Sequence, residues 1–118
     1  TITVTVTNPP LAITKLEDRG PGGLLDAPFT PSLGQTTTIS ASFNEAVTSW
    51  TLSIKNAAGT EVRKFLYSGA GVSSLSQVWN GTTGTGARVA AGTYTYTLSA
   101  TAPYSGGSAT KSGTVTVQ

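Results

Sequence analysis

The carboxylates are the residues of this sequence with the widest choice of chemistry, because the chain contains no histidine and no cysteine. The five acidic residues are Glu17, Asp18, Asp26, Glu45 and Glu61. Glycoside hydrolysis needs two facing carboxyl groups, and these acids follow turns or lie in loops and at strand ends without a positioned partner. The Ser-His-Asp and Cys-His systems and the usual zinc ligand sets are excluded. We therefore expect solvated surface carboxylates, no catalytic residues, no metal site and no cofactor.

Aromatic side chains are the second group that could bind a ligand, since carbohydrate-binding sandwiches stack exposed Trp or Tyr rings on flat sugar faces. Trp50 keeps the two-residue spacing of Leu52 and Ile54, which indicates a core position. Two tyrosines beside glycine-rich turns are the exposed candidates, Tyr67 and Tyr104. A carbohydrate-binding module that uses these loop tyrosines is therefore an alternative interpretation of the chain.

The distribution of charge argues against a nucleic-acid partner. Seven Lys and Arg residues against five Asp and Glu residues give a net charge of only +2. Nucleic-acid-binding proteins concentrate basic residues on one face, whereas the basic residues here are scattered along the chain. No apolar run approaches the roughly 20 residues of a membrane-spanning helix. We expect neither nucleic-acid binding nor membrane insertion.

The dominant sequence pattern is alternation of apolar and polar residues, which is typical of half-buried β-strands. It is clearest where Tyr94, Tyr96 and Leu98 alternate with threonines, and turn residues interrupt it about every 8–12 residues. No window has helical spacing. The pattern predicts an all-β, antiparallel Ig-like or fibronectin-III-like β-sandwich of about seven to nine short strands. The expected core residues are Ile39, Phe43, Trp50, Leu52, Ile54, Trp79, Tyr96, Leu98 and Val115.

The first ten residues have two interpretations. Thr1–Thr7 alternates threonine with isoleucine or valine, and Asn8-Pro9-Pro10 ends the pattern because proline cannot donate to a β-ladder. The segment is either the first strand of this domain or the last strand of a preceding, similar domain. The sequence thus predicts an N-terminal strand and Pro-Pro linker over residues 1–10 and an Ig-like domain over residues 11–118.

One stretch has a more specific signature. A Trp-Asn-Gly corner at 79–81 is followed by a glycine-rich loop and then by Gly92-Thr93-Tyr94, which enters the next strand. Upstream, Pro28-Phe29-Thr30-Pro31 precedes a strand that ends near Val47. In the order of these motifs and in the Trp-to-Tyr spacing, residues 28–100 resemble the immunoglobulin-like domain named after the flagellar hook-capping protein FlgD.

The resemblance implies an accessory β-sandwich module of secreted bacterial proteins. Relatives often carry an Asn- and Asp-rich loop after the opening motif, where this chain has Ser32-Leu33-Gly34-Gln35. Since a hard cation such as calcium requires acidic oxygens, no calcium site is expected there. Trp79 is expected to fill the core, and Tyr94 to send its hydroxyl to a nearby backbone group, as in the tyrosine corner of sandwiches.

Composition and resemblance together lead us to expect a non-catalytic accessory module of a secreted or cell-surface multidomain bacterial protein, acting as a spacer, stabiliser or docking domain. The expected partners are neighbouring domains of the same polypeptide, and beyond these a polysaccharide or a cell-surface protein. A self-assembling extracellular scaffold domain is a further alternative, which the resemblance allows and which the fold alone cannot support.

Overall fold

The computed structural model describes residues 11–102 and 107–118. This part of the chain forms one antiparallel sheet of five strands. The strands are β1 (Ile13–Arg19), β2 (Thr37–Lys55), β3 (Glu61–Trp79), β4 (Gly92–Ala102) and β5 (Gly107–Val117). Two short 3₁₀ helices, Pro21–Gly23 and Pro31–Leu33, lie between β1 and β2. The segment expected as an N-terminal strand and linker, and the candidate Tyr104, lie outside the described residues.

Strand β2 organises the sheet because it pairs with three other strands. Its first half pairs with β1 and its second half with β4, while β3 follows it along its length. The β2–β3 register shifts between Ser42 and Val47 and again between Val47 and Ser49. Bulges of this kind bend a strand and increase its twist. The long β2–β3 hairpin therefore bends, and the sheet curls over its own interior.

Contacts between elements that are not neighbours in the sheet hold this curled form. The hydroxyl of Tyr96 on β4 donates a hydrogen bond to Oδ1 of Asp18 on β1 over 2.7 Å. Phe29, in the connection before β2, forms a parallel bridge with Val117 at the end of β5. The two ends of the sheet are thereby joined across the core.

The interior holds the apolar residues that alternate along the strands. The largest apolar side chains that are fully buried include those of Trp79, Phe29, Ile39, Leu52 and Leu98. Each such side chain contributes about 1.5–3 kcal/mol through removal from water. The nine residues expected in the core are all buried, so the alternation identified the interior face correctly.

The all-β antiparallel class is confirmed, whereas the expected number of short strands is not. The described residues form five strands, and two of them are 19 residues long. Breaks in the alternation at Asn44-Glu45 and at 68–71 predict strand ends, but the chain stays extended through both. The small residues Gly69, Ala70 and Gly71 accommodate the irregular backbone at the bend, as glycines at bulges commonly do.

Candidate functional site

Tyr67, a candidate sugar-binding residue, packs on β3 against Trp50 of β2. The two residues are cross-strand partners. Their rings are stacked, with centroids 5.9 Å apart and planes 13° from parallel. The Tyr67 hydroxyl donates to the carbonyl oxygen of Ala70 over 2.6 Å. One ring face is covered and the hydroxyl is engaged, so the residue fixes the bend of β3 rather than forming an open platform.

The described residues do not provide a flat aromatic surface for a sugar. Phe65 and Tyr67 are half-buried, and the other described aromatic side chains are buried. The second candidate, Tyr104, lies outside the described residues. Tyr67 instead shares its exposed side with the small residues of the β3 bend.

The Trp79 corner is sealed by aromatic packing and by hydrogen bonds to the backbone. Phe29 and Tyr94 meet the Trp79 ring edge-on, with centroids 5.6 Å and 5.5 Å away. The indole Nε1–H donates to the carbonyl oxygen of Thr82 over 2.9 Å. The Tyr94 hydroxyl donates to the carbonyl oxygen of Ala90 over 2.5 Å. These contacts agree with the expectation that the motif residues build the fold.

Arg63 holds the loop that follows this corner. Its guanidinium donates to the Thr83 carbonyl oxygen over 2.8 Å and to the Thr82 hydroxyl oxygen over 3.2 Å. It also lies 4.8 Å from the centroid of the Phe65 ring, close enough for a cation–π interaction. Gly81 turns the loop with a φ of 76°, where a side chain would collide with Pro31. The glycine-rich loop is thus fastened to the first half of β3.

Asp18 is a carboxylate that the sequence interpretation placed wrongly. It is completely buried rather than solvated, and its Oδ2 has no hydrogen-bond partner among the described residues. Burial raises the pKa of Asp18, the Tyr96 hydrogen bond opposes this rise, and the nearby Asp26 carboxylate adds to it. Burial and the bond to Asp18 raise the pKa of Tyr96. The available signal was the two-residue period of β1, which places Asp18 on the face of Leu16.

The remaining described carboxylates do not converge on a reactive centre. Glu17 forms ion pairs with Lys15 at 3.0 Å and with Arg19 at 3.3 Å. Glu61 accepts a hydrogen bond from the Ser53 hydroxyl over 2.7 Å. Within the two described ranges, no group of three His, Cys, Asp or Glu side chains could hold a metal ion. None of the described helices has the length and apolar character required to span a bilayer.

Exposed apolar side chains collect at one end of the sheet, beside the start of β2 and the end of β3. Four of the five large apolar residues that are exposed in the described chain lie there, with exposed fractions between 52% and 73%: Leu24, Leu25, Leu33 and Val78. Arg19 pairs with both Leu25 and Thr38, and Thr38 pairs with Val78, which places Leu25 and Val78 in one cross-strand row with Arg19 and Thr38 between them. Leu24 is next to Leu25 in sequence, and Leu33 lies in the 3₁₀ helix before β2. We call the four residues the apical patch. Exposed apolar clusters of this kind are typical of contact surfaces.

The comparisons with known proteins agree with the resemblance drawn from the motifs. A family model described as the FlgD Ig-like domain matches residues 29–103. The fold is similar to that of FlgD from P. aeruginosa, with a TM-score of 0.56 and 17% identity over 69% of this chain and 60% of that chain. It is also similar to FlgD from Xanthomonas campestris, with a TM-score of 0.51 and 25% identity over 69% of this chain and 57% of that chain. The X. campestris structure is described as giving insights into the hook capping essential for flagellar assembly.

The chain spans about three fifths of the length of these FlgD structures. No curated protein matches it. The expected role as an accessory spacer, stabiliser or docking module of a multidomain secreted protein is wrong, because the matched structures are those of FlgD and one is described by its relation to hook capping. The expected partners, namely neighbouring domains, a polysaccharide or a cell-surface protein, are overturned by the same matches. Neither the carbohydrate-binding alternative nor the self-assembling scaffold alternative gains support from them.

Proposed function

Because this chain belongs to the FlgD Ig-like domain family, we propose that it is the immunoglobulin-like part of a flagellar hook-capping protein. It serves there as a structural, non-catalytic domain at an extracellular structure of a bacterial cell. The observation that carries the proposal is the family match over residues 29–103. The similarity to X. campestris FlgD, whose structure is described in terms of hook capping, supports it.

The contacts of the motif residues support a structural role. The polar groups of Trp79 and Tyr94 are used for hydrogen bonds to the backbone of their own loop. Arg63, a cation that could otherwise bind a ligand, is occupied by carbonyl and hydroxyl oxygens of the same loop. These polar groups, which could otherwise bind a ligand, therefore stabilise the domain itself. The outer surfaces of the domain are left for contacts with other molecules.

The apical patch is the surface that we assign to contacts within the cap assembly. Its leucines lie in the connection between β1 and β2, which is tied to the sheet by the bridge between Arg19 and Leu25 and by a 2.8 Å hydrogen bond from the Asp26 N–H to the Asp18 carbonyl oxygen. They are thus presented by a scaffold of strands. Removal of exposed leucine and valine from water is a favourable term in protein association. The loop between β1 and β2 carries a single charge, Asp26. Arg19, at the end of β1, adds one half-exposed cation to the row between Leu25 and Val78, and its guanidinium donates to the Gly23 carbonyl oxygen.

We further propose that the curled sheet is an Ig-like sandwich and that residues 11–118 form the domain. The hydrogen bond from Tyr96 to Asp18 supports two facing layers, since it joins strands that do not pair with each other. The bridge between Phe29 and Val117 supports the same closure.

The proposal is tested in a flagellated bacterium that carries the parent gene, with residues 29–103 deleted in one strain. A second strain carries serine in place of the apical leucines, L24S/L25S/L33S. We expect both strains to lose hooks in electron micrographs and to lose swimming motility, and we expect a plasmid copy of the parent gene to restore both. The amount of cap protein in the culture medium controls for export. Normal hooks and motility in the deletion strain would refute the hook-capping role.

A further inference from the structure

The outer edge of β3 is open along the described part of the chain. Within residues 11–102 and 107–118, β3 pairs with β2 and with no other strand. The backbone N–H and C=O groups of alternate residues therefore point away from the sheet, as they do on any edge strand. Natural proteins protect such edges with charged residues, prolines or bulges.

The two halves of β3 differ in this protection. The first half, 61–68, carries Glu61, Arg63 and Lys64. The second half, 72–79, contains neither a charged residue nor a proline, and its register with β2 is regular between residues 74 and 79. The first half therefore has a defence against strand addition that the second half lacks.

The other outer strands of the described sheet are also protected by charge. β1 carries Lys15, Glu17 and Arg19 within seven residues. β5 carries the exposed Lys111 in the middle of its length. Residues 112–117 of β5 are also uncharged, but the Phe29 backbone covers the end of that edge, since the Phe29 N–H donates to the Thr116 carbonyl oxygen and the Phe29 carbonyl oxygen accepts from the Gln118 N–H. Residues 72–79 are thus an uncharged stretch of open outer edge, and a second strand can approach them without desolvating a charge.

The outward-facing side chains of this segment are complementary to themselves. They are Ser74, Ser76 and Val78; both serines are exposed, and Val78 is 52% exposed. Val72, beyond the register shift, pairs with the buried Val47 and packs against the core. In an antiparallel pair of two copies centred on Leu75, Ser74 of each copy lies opposite Ser76 of the other. Cross-strand pairs of hydroxyl residues stabilise antiparallel strands. Arg63 and Lys64 fall outside the paired segment, so like charges do not meet.

We propose that residues 72–78 of β3 bind the same edge of a second copy of this chain by antiparallel strand pairing, which continues the sheet across two molecules. Such a contact is isologous, so it closes at two copies and leaves no further edge of the same kind. The inference does not depend on the hook-capping role, because it follows from the register, charge and exposure of β3.

Sedimentation of the 118-residue chain from micromolar to millimolar concentration tests the proposal. We expect a monomer–dimer equilibrium. In the variant S74K/S76K, the introduced ammonium groups of the two copies face each other at two positions, and this repulsion is expected to weaken the dimer about tenfold or more. The matched control S108K/T116K places the same added charge at exposed positions on β5 and is expected to dimerise like the wild type.

A charge-reversal experiment tests the register. S74E/S76E alone is expected to be monomeric, and its equimolar mixture with S74K/S76K is expected to form a heterodimer at least as stable as the wild-type dimer. Circular dichroism checks that each variant is folded. A wild-type chain that stays monomeric at millimolar concentration, a dimer that S74K/S76K leaves intact, or a mixture that does not associate would each overturn the proposal.

Discussion

The interior of the curled sheet and the outer edge of β3 differ in whether their polar groups have hydrogen-bond partners within the described chain. Inside, the Trp79 indole and the Tyr94 and Tyr96 hydroxyls each donate to an acceptor of the same chain. At the edge, Ser74 and Ser76 are exposed and the outward backbone groups have no partner in the described sheet. The difference indicates that the Trp79–Tyr94 motif specifies the packing of the interior. The proposed site of association is instead the second half of β3, a segment without a recognisable motif.

The largest effect on stability is expected from a substitution in the interior of the sheet. Trp79→Ala removes a fully buried ring that touches Phe29 and Tyr94, and we expect a loss of about 3–5 kcal/mol in the free energy of unfolding. Urea unfolding followed by circular dichroism measures it. Glu61→Ala is the surface control, with an expected change within about 0.5 kcal/mol. If the control proved as costly as the tryptophan variant, the assignment of the interior would be wrong.

A smaller loss of stability is expected at Gly113 of β5, where the absence of a side chain leaves room for the Tyr96 ring. Gly113 pairs with Tyr96 across β4 and β5, and an added Cβ would lie 2.5 Å from the tyrosine hydroxyl oxygen and 2.6 Å from its Cζ. Gly113→Ala therefore displaces the ring, with an expected cost of about 1–3 kcal/mol. Gly84→Ala is the control, because no atom lies within 4 Å of its added Cβ. Equal thermal midpoints for the two variants would contradict this packing.

The buried carboxyl of Asp18 gives a difference in the pH dependence of stability. Its pKa is raised by burial, so the folded protein holds the proton more tightly than the unfolded chain does. The resulting contribution to stability is fully present below the unfolded pKa and is lost as pH rises through the folded pKa. We expect wild type to lose stability relative to Asp18→Asn as the pH of urea unfolding rises from acid toward neutral.

The variant Asp18→Asn keeps an oxygen that can accept the Tyr96 hydrogen bond and removes the titration. The opposite slope comes from Glu17, whose pKa is lowered by its hydrogen bond with Lys15 and further by Arg19. That slope is common to both proteins and cancels in the difference between them. A difference that stayed constant with pH, or that favoured the wild type as pH rose, would show that Asp18 is not held in the interior as described.

The smallest effect is expected at the bend, between the interior and the edge. Tyr67→Ala removes a half-buried ring stacked on Trp50, with an expected cost of about 1 kcal/mol. Tyr67→Phe keeps the ring and loses only the hydrogen bond to Ala70, so it is expected to cost less. Thermal unfolding ranks the pair. A loss for Tyr67→Ala as large as that for Trp79→Ala would place the bend within the core.

The sequence predicted the all-β class and the interior residues because burial follows the two-residue period of a strand. Ile39, Leu52, Ile54 and Leu98 alternate with polar residues and are all fully buried. The strand number was not predictable in the same way, since a bulge and a turn both interrupt the period and both favour small residues. The pairs that Ser68 and Val72 form with β2, on either side of residues 69–71, show that the strand continues through this stretch.

The candidate site shows a similar limit. The structural role of Trp79 and Tyr94 was predictable, because large aromatic side chains at a fixed spacing beside a glycine turn are stabilised by burial in the core. The period of β1 places Asp18 on the interior face, but a carboxyl group is ordinarily exposed, so the period alone did not predict its burial. Its burial depends on Tyr96, a hydrogen-bond donor 78 positions away in sequence. The apical patch depends on how the connection between β1 and β2 folds beside the end of β3, which no local pattern reports.

Hydrogen exchange of the backbone amides at two protein concentrations tests the contrast between interior and edge most directly. In dilute solution we expect slow exchange in β2 and β4, which pair on both sides along part of their length, and fast exchange for the outward amides of residues 72–78. At high concentration those outward amides are expected to become protected while the outward amides of β5 do not change. Exchange at 72–78 that is slow in dilute solution, or that is the same at both concentrations, would contradict the account.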